Sequence, residues 1–281
     1  MRRAVVAILV DEHRRSVVSA CEIAGLSRTA YDRPPSALDD ADAPIIAALT
    51  TLIAQEGRWG FWKCRHRLRA LGHPWNHKRV YRVYCARQLN HVRRTKKRIP
   101  TRGQVPRNAR PQLHDTWAMA FMGDTLYSAR RYRIFNVIDE GHREALAIDV
   151  DVSLPSERVV TVLDQLVTMH GTPRRLRCDN GPEFLAEILH LWCAQQGIQL
   201  VFIQPGKPNQ NAYIERFNRS YRHDFLNAWV FTTLDEVREL SEASRVRYNT
   251  ARSHDSLGDV PPLTFLPRAT SPDQSYFKLC A

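Results

Sequence analysis

Asp179 and Glu215 are the two side chains of this sequence best placed to do chemistry together. Asp179 lies in Cys178-Asp179-Asn180-Gly181-Pro182-Glu183-Phe184, where an apolar stretch ends and a helix begins. Glu215 lies in the run from Gln204 to Asn218, where a Pro-, Gly- and Asn-rich loop passes into a helix. Asn180-Gly181 supplies a tight turn that frees the first carboxylate from its strand. A carboxylate at a strand end and another on a helix can face one another across a cleft. Converging carboxylates hold divalent cations, which activate an attacking oxygen and stabilise a leaving one in phosphoryl transfer. The plain alternative for Glu215 is an i,i+4 ion pair with Arg219.

The elements that would position this pair are legible as an α/β pattern from Trp117 onward. Trp117 to Met122, Tyr132 to Ile138 and Glu144 to Val152 read as strands, the last two joined by a turn at 139–143. Ser156 is expected to cap an amphipathic helix ending at His170. A short strand over Arg175 to Cys178, a helix over Pro182 to Gln196 with Pro in its first turn, and a strand over Ile198 to Ile203 follow. Helices over Asn211 to Leu226 and Leu234 to Tyr248 complete the order βββαβαβαα, which resembles the ribonuclease-H-like fold. Strand order does not follow from the sequence.

Upstream the chain is helical and basic. Residues 1–35 form a helical segment broken at Gly25, and Ser19 to Tyr31 has a helix–turn–helix look with Ser27 as an N-cap. A helical hairpin for packing or dimerisation is the simpler reading of that segment. Pro34 to Ala43 reads as a linker, and a helix spanning Ile45 to Ile53 ends at Glu56-Gly57. A second helix spans Phe61 to Leu71. A third, capped by Asn76, runs to about Leu89 and presents His77, Lys78, Arg79 and Arg82. His91 to Pro111 holds eight basic residues, three prolines and no acid, which suits an extended linker along a phosphate backbone.

Charge points to the same partner. Residues 1–112 carry 23 Lys and Arg against 8 Asp and Glu, a net +15, whereas residues 113–281 carry 18 against 21. Seventeen basic residues and no acidic one lie between Gly57 and His114. Such a stretch attracts polyanions in a salt-dependent way. No continuous apolar face accompanies it as an interfacial helix requires, and no apolar run approaches the ~20 residues of a membrane span. The six cysteines show no CxxC spacing and read as reduced thiols of a cytoplasmic protein.

The segments WAMAFMGD, FNVID, REALAIDV, CDNGPEF, QPGKPNQNAYIERFN and YNTARSHDSLG resemble the catalytic core of bacterial insertion-sequence transposases related to retroviral integrases. RWGFWKCRHRLRALGHPWNHKRVYRVY is similar to the helical DNA-binding region of the same proteins, in particular the second-reading-frame product of the frameshift-expressed group. The resemblance implies an N-terminal helical segment (1–35), an all-α helix–turn–helix DNA-binding domain (44–92), a basic linker (93–112), a ribonuclease-H-like core (113–230) and a C-terminal helical extension (231–281). It further implies three acidic ligands for two Mg²⁺ or Mn²⁺ ions: an Asp in the first strand, then Asp179, then Glu215.

Family members read W-S-M-D-F-M at the first strand, but this chain reads Trp117-Ala118-Met119-Ala120-Phe121-Met122, so Ala120 stands where the first Asp belongs. Alanine offers a metal no oxygen. Asp124 is a poor substitute, because four residues along a strand is about 13 Å although on the same face; Asp139 is the nearer spare. DNA contacts are expected at Lys78, Arg79, Arg82, Arg93, Arg94, Lys96, Lys97, Arg98, Lys207 and Arg219. The implied partners are the terminal inverted repeats and target duplex, further copies of the chain on DNA, and a first-reading-frame protein. The activity implied is DNA cleavage and strand transfer, disabled here by Ala120; a decayed or repurposed protein that binds DNA without catalysis is the alternative. Cys64, His66, His73 and His77 lack paired zinc-ligand spacing, and no nucleotide-binding loop is present.

Overall fold

A computed structural model of the chain describes residues 2–32, 38–90, 113–204, 206 and 208–265. The chain divides into two compact units, residues 1–50 and 51–281. In the first, α1 (Arg2–Asp11) and α2 (Val17–Ala24) pack through Val6, Ala20 and Cys21, and a short α3 (Arg28–Asp32) follows. Ser16 caps α2 by accepting from Ser19 N at 3.3 Å, and Gly25 ends it in the left-handed conformation at φ 61°. Ser27 Oγ accepts from Ala30 N.

Helix α4 (Leu38–Gln55) crosses the division between the units and contains Pro44. From residue 38 onward it corrects the expectation of a linker over 34–43; residues 33–37 lie outside the described residues. Small and acidic residues suit a linker, but they equally suit the first turns of a helix, whose N-terminal end favours negative charge.

In the second unit, α5 (Phe61–Ala70) and α6 (His77–Ala86) form a helical pair, with Leu68, Val80, Val83 and Tyr84 buried. Asn76 caps α6, its Oδ1 accepting from Lys78 N at 2.9 Å.

The core of this unit is a five-stranded sheet made of β1 (Thr116–Thr125), β2 (Arg131–Asp139), β3 (Ala145–Asp151), β4 (Arg175–Cys178) and β5 (Gln199–Phe202). Its order is β3-β2-β1-β4-β5; β1, β2 and β3 are antiparallel neighbours, while β4 and β5 run parallel to β1. This mixed sheet with helices on both faces is the ribonuclease-H-like arrangement.

Alternation along the strands decides which helix each side chain meets. Trp117, Met119, Phe135 and Val137 face α7 (Ser156–His170), α8 (Pro182–Leu185) and α9 (Glu187–Gln196). Ala118, Ala120, Ile134 and Ile138 face α10 (Ala212–Asp224) and α11 (Leu234–Thr250), whose Ile214, Phe217, Tyr221 and Val237 complete that second apolar layer. Each such large side chain contributes roughly 1.5–3 kcal/mol by leaving water. A short α12 (Pro262–Phe265) ends the described chain.

Two local expectations change. Ser156 is the first residue of α7 rather than its cap, and its hydroxyl donates to Glu183 O at 2.9 Å. The helix expected over 182–196 is broken at Ala186, which is extended (φ −67°, ψ 138°).

Asn249 on α11 closes part of the sheet's β3 edge. Its Oδ1 accepts from Ala145 N and its Nδ2 donates to Ala145 O, both at 2.9 Å.

Candidate functional site

The site is assembled where β1, β4 and α10 meet. β4 pairs in parallel with β1 through Ala118↔Arg177. Continuing that register by two residues brings Asp179, just past the strand end, level with Ala120. Cys178 lies on the α7 face, so alternation turns Asp179 toward the α10 face that Ala120 shares.

The chain then turns sharply. Asp179 Oδ1 accepts from Gly181 N at 3.0 Å, and Asn180 Nδ2 donates to Ile203 O at 3.1 Å. A Cβ at Gly181 would stand 3.0 Å from Asp179 Oδ1, so glycine is what lets the carboxylate fold over the turn.

Glu215 occupies the first turn of α10. Asn211, buried just before that helix, donates from Nδ2 to Met119 O at 3.2 Å and so fixes the start of α10 beside Ala120. Ile214 and Phe217, on the same helix as Glu215, pack in one cluster with Ala120. On β2, Asn136 lies opposite Ala120 and is fully buried; its Nδ2 donates to Asn218 Oδ1 at 2.8 Å, one turn beyond Glu215. Sequence reading missed Asn136. An amide inside the apolar strand Phe135-Asn136-Val137-Ile138 was the available signal.

Among the described residues, neither Asp179 nor Glu215 forms an ion pair, and none joins Glu215 to Arg219. Two hard-oxygen donors without cationic partners have the chemistry of Mg²⁺ or Mn²⁺ ligands. The neighbouring carboxylates are occupied. Glu183 is held by Arg133, whose hydrogen bond keeps it below the usual carboxylate range. Asp124 pairs with Arg222 at 3.2 Å.

Asp139 pairs in register with Trp117 and therefore points to the opposite face from Ala120. It is fully buried, accepting from His114 N at 2.8 Å and Gly141 N at 2.7 Å. No group of three His, Cys, Asp or Glu arranged for a metal occurs among the described residues. The residues present therefore do not fit a two-ion centre built on three carboxylates, and no spare acid fills the place of Ala120.

Lys78, Arg79 and Arg82 are exposed on α6, and Arg219 is exposed on α10. Arg93, Arg94, Lys96, Lys97, Arg98 and Lys207 lie outside the described residues. Cys64 is buried in α5 and its thiol donates to Trp59 O, with burial pushing it up to about 11. No described helix is long and apolar enough to cross a membrane.

Family profiles match three stretches of the chain. Residues 111–208 and 196–262 each match an integrase core domain, and residues 39–98 match an HTH-like domain. An uncharacterized protein of insertion element IS476 from Xanthomonas euvesicatoria is 38% identical over 246 residues, spanning 88% of this chain and 71% of its own. The corresponding protein of IS407 from Burkholderia multivorans is 36% identical over 249 residues, spanning 88% of both chains. Among solved structures, the magnesium complex of the HTLV-2 integrase catalytic core is 17% identical with a TM-score of 0.40, over 53% of this chain and 93% of that one.

Proposed function

The chain belongs to the integrase-core proteins of bacterial insertion elements, and on that premise we propose that it is a transposase that binds the ends of its element but barely cuts them. The observation that carries this reading is Ala120, which takes the β1 place level with Asp179 and beside the helix of Glu215. Asp179 and Glu215 are the two remaining ligands, and Ala120 marks the missing third.

A divalent ion pair in an intact centre would activate water and then a 3′-hydroxyl. Two carboxylates are not fitted to hold that pair. What this chain's residues do is hold the two carboxylates in place. Gly181 and Asn180 set the turn of Asp179, while Asn211 and Asn136 pin α10 to the sheet.

DNA binding falls to the basic helical region and linker: Lys78, Arg79, Arg82, Arg93, Arg94, Lys96, Lys97 and Arg98, joined by Lys207 and Arg219. The working division is a helical segment (1–35), a DNA-binding domain (44–92), a linker (93–112), the core (113–230) and an extension (231–281). The partners are terminal-repeat and target duplexes, further copies of the chain assembled on them, and a first-reading-frame protein.

The test is Ala120→Asp on duplex carrying the element's own ends. Restored Mg²⁺-dependent strand cleavage, several orders of magnitude above the parent chain, is expected. A variant that binds those ends yet still does not cut would favour the second reading, a repurposed DNA-binding protein. That second reading is itself favoured by the pairing of Glu183, Asp124 and Asp139 with other groups.

A further inference from the structure

Helices α5 and α6, with the loop between them, line an open cavity of about 430 Å³ apart from the carboxylate site. Its wall is formed by Arg65, Arg69, His73, Trp75, Asn76 and His77, together with apolar residues, and contains no acid. His73 and Trp75 stack nearly parallel, 4.3 Å between ring centroids, to make one side of it. The N-terminal end of α6 forms another, with Asn76 satisfying only the Lys78 amide by its side chain, so the positive end of the helix faces the space.

Arg65 is the informative residue. Its Nε is shut off from solvent with no hydrogen-bond acceptor, and no acid among the described residues pairs with it or with Arg69. That N–H is closed to any ligand, but the pocket wall carries cations with no counter-charge and so favours an anion from outside. Paired guanidinium groups match the oxygens of a phosphate. The same helix exposes Lys78, Arg79 and Arg82, which makes a polymeric phosphate the suitable source.

We propose that this cavity seats one backbone phosphate of a DNA duplex, gripped jointly by Arg65 and Arg69. The proposal rests on the reading of residues 44–92 as DNA-binding. A phosphate seat positions the protein on the duplex and carries no base sequence.

The test is the affinity of the full chain for a random-sequence duplex of about 30 base pairs across a salt series. One lost phosphate contact lowers the log–log salt slope by about 0.9. Arg65→Gln and Arg69→Gln should each weaken binding roughly five- to tenfold at fixed salt. The double variant should lose about 0.9 in slope, not twice that, because both arginines serve one phosphate. Additive losses would assign the two residues to general surface charge and overturn the seat, as would unchanged binding.

If Arg65→Gln does not fold, Arg65→Lys, which keeps the charge but loses the guanidinium fork, takes its place beside Arg69→Gln in the same additivity test. A second arm titrates inorganic phosphate against the Trp75 indole resonance. A shift there, with duplex affinity indifferent to both variants, would make the cavity a free-phosphate site and overturn the proposal. Failure of the unaltered chain to bind duplex at all would bring down the DNA-binding reading itself.

Discussion

Asn136 stands directly across the β1–β2 ladder from Ala120, and its amide donates to Asn218 on the helix that carries Glu215. The residue opposite the missing carboxylate thus joins Asn211 in holding the helix of the remaining carboxylate to the sheet. Asn136→Ala should cost about 1–3 kcal/mol of stability, since it strands a hydrogen-bonding partner and leaves a small void. Urea denaturation measures it. In an Ala120→Asp background the same change should lower cleavage rate more than DNA affinity; an equal loss in both would mean that Asn136 only supports the fold.

Ala120→Asp should itself destabilise the chain in metal-free buffer. Position 120 is 8% exposed and packs with Ile214 and Phe217, and a carboxylate there loses water without gaining a donor, at a cost of about 1–3 kcal/mol. Millimolar Mg²⁺ or Mn²⁺ should restore part of the loss by binding only the folded state. Thermal denaturation with and without metal reads the difference. A metal-induced rise in Tm no larger than that of the parent chain would argue that the three positions do not form one centre.

Stability should fall on the acid side because of His254. Burial, then the charges of Arg252, Lys63, Arg216 and Arg143, lower its imidazole from 6.5 to about 3. The unfolded chain therefore binds a proton that the folded chain refuses between those values, so this contribution is full above pH 6.5 and is lost as pH falls toward 3. Its slope approaches about 1.4 kcal/mol per pH unit. His254→Phe should flatten that limb in urea midpoints taken across pH. An unchanged limb would place the titration elsewhere.

Lys78→Ala, Arg79→Ala and Arg82→Ala should weaken duplex binding together. Each is exposed on α6, and if each meets its own phosphate the triple variant should reduce the salt slope by about 2.7. A slope unchanged within error would remove α6 from the DNA interface.

Asn249→Ala should cost about 1–3 kcal/mol, because it withdraws two hydrogen bonds from the Ala145 backbone and leaves the Ala145 N–H unpaired, while Ala145 O keeps its bond from Arg245 Nη1 at 3.2 Å. Faster hydrogen exchange at the Ala145 amide would report the loss directly.

The order of elements was legible because the strands alternate or run apolar, and because Asn76, Gly181 and Pro182 mark boundaries by local chemistry. What the sequence hides is what depends on distant partners. Ser156 looks like a cap, but its hydroxyl is drawn to Glu183 O, 27 residues away. Helix 182–196 has an unbroken apolar pattern, and nothing local announces the extended Ala186. For the site, Ala120 was visible against its family's motif. The dismissal of Asp139 required the register, since only the pairing with Trp117 reveals which face it takes. The cavity beside Arg65 joins residues from two helices and a loop, and no spacing rule connects them.

The bond pair between Asn249 and Ala145 has a bearing on assembly. A side chain that imitates a neighbouring strand leaves the backbone at Ala145 with nothing to offer an incoming one. Sheet extension through an added strand is therefore blocked at that end of β3.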